Sequence, residues 1–370
     1  MNDSTIADCA VRGIPMIPTR DETGFSLLEL LIAMAVFLVA GAASFTLFSR
    51  HQRLYGEQQG LSALNISLRN AVAQMQLDLV NAGTGETVGT NVPSWPVGAT
   101  IINASGINCY DSTAHTYAAS CFDTLNILAA DSAVPAVHPH DGTMNPVNTN
   151  TSSDIYIDPL AGQTAAQTAA LFKTGDQLLL MKNAGWPYTT VVLTQDGDGS
   201  SGKVKLHHNI TNADGTNTSA NDPLGISTHS NEKLGADFDI DDWLIKLAPI
   251  TYTVDASDPT NPKLIRIQKG VSTVVTEQIV GFKVGASLWN GGTTSSETYN
   301  YDASSFADPT VSPAEHYNYT LIRSIRISLI GRTLPNLDPS YTFRNSFDQG
   351  PYQIQASSIV VNPRNLSMRD

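Results

Sequence analysis

The sequence predicts an α+β fold: one long N-terminal α-helix, part transmembrane and part amphipathic, packed on a large antiparallel β-rich globular domain. Three observations carry that expectation. A long apolar run broken by a single charge begins at residue 24, a helical apolar stripe continues from it with no proline between Phe25 and Val92, and alternating strand signals recur from Asp154 to Val361. A helix laid across an antiparallel sheet is the simplest way to bury an apolar face of each.

The run Gly24 to Phe48, GFSLLELLIAMAVFLVAGAASFTLF, contains a single charge, Glu29. As a helix from Phe25 it rises about 36 Å, enough to cross a hydrocarbon core of roughly 30 Å. A carboxylate deep in such a helix costs about 2–3 kcal/mol to insert, so Glu29 points to function and to a partner. Residues 1–24 are polar, with Asp3, Asp8, Asp21 and Glu22 against Arg12 and Arg20, and are set aside as a leader. Met16 offers a second start, which leaves the shorter leader MIPTRDETG.

GFSLLELL at 24–31 resembles the type III (prepilin) signal of type IV pilins and type II secretion pseudopilins, whose pattern is Gly, an apolar residue often Phe, three further residues, then Glu. The resemblance implies cleavage after Gly24 by an inner-membrane prepilin peptidase, N-methylation of the new terminus Phe25, and assembly of the helix into a filament. Glu29 would then pair with the α-amine of a neighbouring subunit. The physics agrees, because a buried carboxylate without a cation protonates or resists burial.

Past the span the chain turns polar at residues 49–83, yet Leu54, Leu61, Leu64, Leu68, Val72, Met75 and Leu79 keep one face apolar. The helix is expected to run about 58 residues from Phe25 at full helical rise, with Asn81-Ala82-Gly83 as its C-cap. Gly56 and Gly60 are its weak points, each costing about 1 kcal/mol relative to alanine. Major pilins usually carry a helix-breaking proline in the membrane half; Thr46 stands there, with Gly41 the nearest soft point.

Residues 84–370 form the β-rich part. Short apolar patches at 99–102 and 125–129 sit among Gly, Pro, Asn, Thr and Ser. Strands are expected at 155–157, 177–181, 189–194, 203–207, 244–254, 264–268, 274–284, 321–330 and 354–361. Ile325, Ile327 and Leu329 alternate with Arg326 and Ser328, the pattern of a half-buried strand. Long polar loops fall at 139–153, 211–232 and 289–316. No internal repeat or linker divides this part. The layout, with EQIVGFKV at 277–284 and a closing basic-alternating strand at 321–330, resembles the PilW-type minor pilins.

The net charge of −13 argues against nucleic acid as the main partner, since phosphate binding needs a basic face. Cys9 lies in the leader. That leaves Cys109 and Cys121, an even pair in a polar segment, which reads as a disulfide closing a loop worth about 3 kcal/mol; the other reading is two free thiols.

Asp196-Gly-Asp198-Gly-Ser200 sets alternate oxygens on a tight turn, as calcium requires, but lacks the remaining positions of an EF-hand loop. The competing reading is an acidic hairpin turn. Asp237, Asp239, Asp241 and Asp242 read as a solvated turn, and His138, His140, His207 and His208 as surface histidines without zinc spacing. No G-x-S-x-G, Walker or H-E-x-x-H string occurs, so a structural role is expected in place of an enzyme, with no cofactor beyond the calcium reading. The resemblance implies a minor pilin in a tip or initiation complex. Its partners would be prepilin peptidase, other minor and major pilins, and a large tip adhesin. It would sit in the inner membrane as a precursor with its globular domain periplasmic, then in the extracellular pilus. The alternatives are a large type II secretion pseudopilin and a tip-located adhesin whose polar loops bind a ligand.

Overall fold

Two sheets receive the apolar stripe of one helix. The computed structural model describes residues 26–85, 98–107, 109–140, 154–183, 188–208, 234, 237–288, 322–336 and 341–366. The chain divides into two units, residues 1–58 and 59–370, and the first helix begins in one and ends in the other.

That helix, α1, spans Leu27–Val80. It is followed by β1 (Ala99–Ile102), β2 (Tyr110–Asp111), β3 (Thr116–Tyr117), β4 (Thr124–Ile127) and β5 (Asp154–Ile157). Then come α2 (Ala165–Ala169), β6 (Gln177–Met181), β7 (Tyr188–Val192), β8 (Val204–His207), β9 (Trp243–Leu247) and β10 (Ile250–Asp255). The described chain ends with β11 (Lys263–Gln268), β12 (Val271–Glu277), β13 (Ile279–Leu288), β14 (Ile322–Arg332) and β15 (Ile354–Val361).

In the second unit the stripe buries Leu64, Leu68, Ala71, Val72, Met75 and Leu79. These side chains join one core with Ile101, Leu125, Tyr252, Phe282, Ile325, Ile327 and Leu329. The sheets behind that core are β1-β4-β10-β11-β12 and β13-β14-β15, antiparallel throughout. Gly331 on β14 lets the helix lie close: a methyl group there would lie 2.7 Å from Leu64 Cδ1. Leu54, expected in the stripe, is instead 53% exposed, so burial begins at Leu64. Helical structure continues unbroken through Gly41, Gly56 and Gly60.

A second core gathers Ile155, Ile157, Phe172, Leu178, Leu180, Val191, Val204, Leu206 and Leu244 between β5-β8, α2 and the sheet β7-β6-β9. The two cores share that last sheet. Leu179 and Met181 of β6 belong to the first core, Leu178 and Leu180 to the second. A strand apolar on both faces reads as a continuous run, which explains QLLLM at 177–181.

Two expected strands are split. Residues 244–254 break between β9 and β10 at Ala248-Pro249, because proline brings no N–H to a ladder. Residues 274–284 break at Gln278, whose φ of 57° ends β12; its amide bonds the Thr260 carbonyl and Asn261. Helix α2 was not expected, although Thr164 and Gln167 form the capping box that starts it. The loops at 139–153, 211–232 and 289–316 lie outside the described residues, apart from 139 and 140.

Candidate functional site

The helix start is built by a local exchange of hydrogen bonds. The Ser26 hydroxyl accepts from the Glu29 N–H at 3.2 Å, and Glu29 Oε2 accepts from the Ser26 N–H at 3.0 Å. This S-x-x-E capping box satisfies two donors that a helix end leaves unpaired. It also aims the only carboxylate of the apolar run back toward the N-terminal end of α1, where the helix dipole favours negative charge. Glu29 is thus held beside the backbone of Ser26, the residue that follows Phe25 in the sequence.

Beyond Glu29 every side chain to Phe48 is exposed in the first unit, including Phe37 at 76% and Phe45 at 72%. Exposed apolar surface on this scale marks an interaction site, not a soluble helix. The segment is long and apolar enough to cross a membrane. The Thr46 hydroxyl donates to the Ala42 carbonyl at 2.8 Å, so the position where major pilins carry proline keeps its helix and adds a bond within it.

Residues 19–45 match the family described as the prokaryotic N-terminal methylation motif. The match supports a type IV pilin-like or pseudopilin-like protein. It covers Gly24, Phe25, Glu29 and most of the exposed apolar helix. No curated protein and no solved structure matches the chain. Gly24 and Phe25 themselves lie outside the described residues.

The remaining residues singled out from the sequence lie in the second unit. Cys109 and Cys121 are joined by a disulfide, with Cα atoms 5.2 Å apart. In the acidic turn, Asp196 accepts from Thr174 N–H at 2.9 Å, from the Thr174 hydroxyl at 3.0 Å and from Lys173 Nζ at 2.9 Å. The Thr174 N–H first, then Lys173 and the Thr174 hydroxyl, hold the Asp196 carboxyl down at about 2. Asp198 accepts from the Ser200 N–H at 2.9 Å and exchanges backbone bonds with Lys205. A cation at Asp196, Asp198 and Ser200 would have to displace Lys173. The glycines of this turn have another use: side chains at Gly197 and Gly199 would strike the backbone of α2 at Ala169 and Ala165.

Asp242 departs from the solvated turn expected of it. It is 4% exposed and accepts from Lys182 Nζ at 2.8 Å and from the N–H groups of Asn183 and Asp239. Burial of this carboxylate is affordable only because each oxygen is met by a donor. The histidines are not uniformly superficial either. His208 is fully buried and His140 and His207 are half-buried in contact with Asp158 and Asp154, whereas His138 is exposed as expected, its ring 4.0 Å from that of Trp243 and tilted by 41°. Among the described residues no group of three or more His, Cys, Asp or Glu side chains is placed to hold a metal.

Proposed function

We propose that this chain is a minor pilin of the type IV pilus, of the PilW-type layout, cleaved after Gly24, N-methylated at Phe25 and inserted into the filament at a tip or initiation complex. One observation carries the reading: a methylation motif at 19–45 overlaps a helix whose apolar side chains from Leu27 to Phe48 are all exposed. Such a surface is satisfied first by lipid, with the globular part periplasmic, and then by neighbouring pilin helices. Glu29 supplies the register. Its carboxylate points to the N-terminal end of the helix, where cleavage by prepilin peptidase exposes an α-amine in every subunit, and that cation offsets the cost of burying the acid between helices. The size of the globular part supports placement at the tip, since a domain with two cores would crowd a shaft of compact subunits.

The test is the intact mass of the protein from membranes and from sheared filaments. A mature mass beginning at Phe25 with one added methyl group, present in both fractions, is expected. An uncleaved mass in filaments would overturn the processing scheme. Deleting the gene separates the alternatives: loss of pili with protein secretion intact supports the pilus, and the reverse supports a type II secretion pseudopilin.

A further inference from the structure

The disulfide closes a loop that does more than shorten the chain. Within it β2 and β3 share only two residue pairs, Tyr110 with Tyr117 and Asp111 with Thr116, too short a ladder to persist alone. Both tyrosines leave the loop for one turn near the C-terminus. The Tyr110 hydroxyl donates to the Asp348 carbonyl at 2.7 Å, and the Tyr117 hydroxyl donates to Asp348 Oδ2. Tyr352 donates to the same oxygen. Asp348 Oδ1 organises the turn itself, accepting from Asn345 Nδ2 at 2.7 Å and the Gly350 N–H at 2.9 Å. Arg332, 2% exposed, ties the loop to β14 by donating to the His115 carbonyl at 2.9 Å while stacking over the Tyr352 ring at 4.9 Å.

We propose that Cys109–Cys121 is a redox-armed latch: closing the loop presents Tyr110 and Tyr117 to Asp348 and so docks the turn at residues 345–350. The chemistry is thiol–disulfide exchange. The two thiols lose two protons and two electrons to the disulfide of an oxidoreductase, which leaves as a dithiol, and the Sγ–Sγ bond forms. The C-terminal turn is therefore locked only after the chain has reached an oxidising compartment. Residues 351–353 are held independently, by backbone bonds from Asn336 and Thr333, so release is confined to the Asp348 turn.

Hydrogen exchange on the full chain in detergent tests this. After reduction and alkylation, the amides of Asn345, Phe347, Asp348 and Gly350, all bonded in the oxidised protein, are expected to exchange about tenfold faster or more. The β13–β15 amides keep their protection. Unchanged exchange at 345–350 overturns the latch. A Tyr110→Phe/Tyr117→Phe variant with the bridge intact provides the second arm, in case reduction loosens the whole unit. It is expected to accelerate 345–350 alone, and no acceleration there overturns the proposal as well.

Discussion

Asp78, near the end of α1, accepts a 2.8 Å bond from Arg266 Nε on β11, and the Tyr252 hydroxyl on β10 donates to the same oxygen at 2.5 Å. The apolar stripe decides which face of the helix meets the sheets, but an apolar face alone tolerates sliding by a turn. Asp78 removes that freedom, because only one register places its carboxylate against both donors. Farther back, the hydroxyls of Ser67 and Thr276 on β12 meet at 2.6 Å and repeat the constraint.

Asp78→Ala takes the acceptor from the fully buried Tyr252 hydroxyl and from the part-buried Arg266. The expected cost is about 3 kcal/mol, because the Tyr252 hydroxyl is stranded in the core while Arg266 keeps some solvent and its bond to Gln268. Thermal unfolding of the full chain in detergent, followed by circular dichroism, checks it. An unchanged midpoint would mean that the stripe alone fixes the register.

Gly331→Ala tests how closely the helix lies on β14. The added methyl group meets Leu64 Cδ1 at 2.7 Å and Leu68 Cδ2 at 3.2 Å, both ends of flexible side chains. Repacking them is expected to cost about 1–2 kcal/mol, and Gly331→Val more. Denaturant midpoints for the two variants should fall in that order.

The helix and most strands are legible in the sequence because their periods are set by burial on one face. Ile325, Ile327 and Leu329 are fully buried while Arg326 is exposed, as their alternation predicts. What was not legible is long-range pairing. Asp242 looks like any acid in an acidic run, and nothing local shows that Lys182 and two backbone N–H groups converge on it. The glycines at 197 and 199 fit either a ligand loop or an acidic hairpin turn, and nothing local shows that they lie against α2, some thirty residues earlier in the chain. The capping box at Ser26 and Glu29 is legible as S-x-x-E.

Alkaline stability follows from three tyrosines. Burial first, then hydrogen bonds to carboxylates, raise Tyr117 and Tyr352 against Asp348 and Tyr252 against Asp78 above the usual phenol range. A raised folded-state value stabilises the protein below the unfolded phenol value of about 10 and loses that contribution as pH climbs through the folded value. Stability is therefore expected to fall above about pH 10, with the three tyrosines ionising only as the fold opens. Ultraviolet titration of tyrosinate, run beside circular dichroism, checks this. Ionisation of all tyrosines before any loss of structure would contradict it.

The two ends of the motif should fail at different steps. On the proposed cleavage after Gly24, Gly24→Ala is expected to prevent that cut, so that the precursor accumulates at full mass in membranes. Glu29→Ala leaves Gly24 and Phe25 in place, and cleavage should proceed. Because the variant also removes half of the capping box, about 1 kcal/mol of helix-end stability goes with it. Glu29→Gln separates the two roles: its side-chain oxygen still accepts from the Ser26 N–H, but it carries no charge for a neighbour's amine. If the charge sets subunit register, Glu29→Gln should be processed normally and be depleted from sheared filaments as strongly as Glu29→Ala. Normal incorporation of Glu29→Gln with loss of Glu29→Ala would assign Glu29 to capping alone.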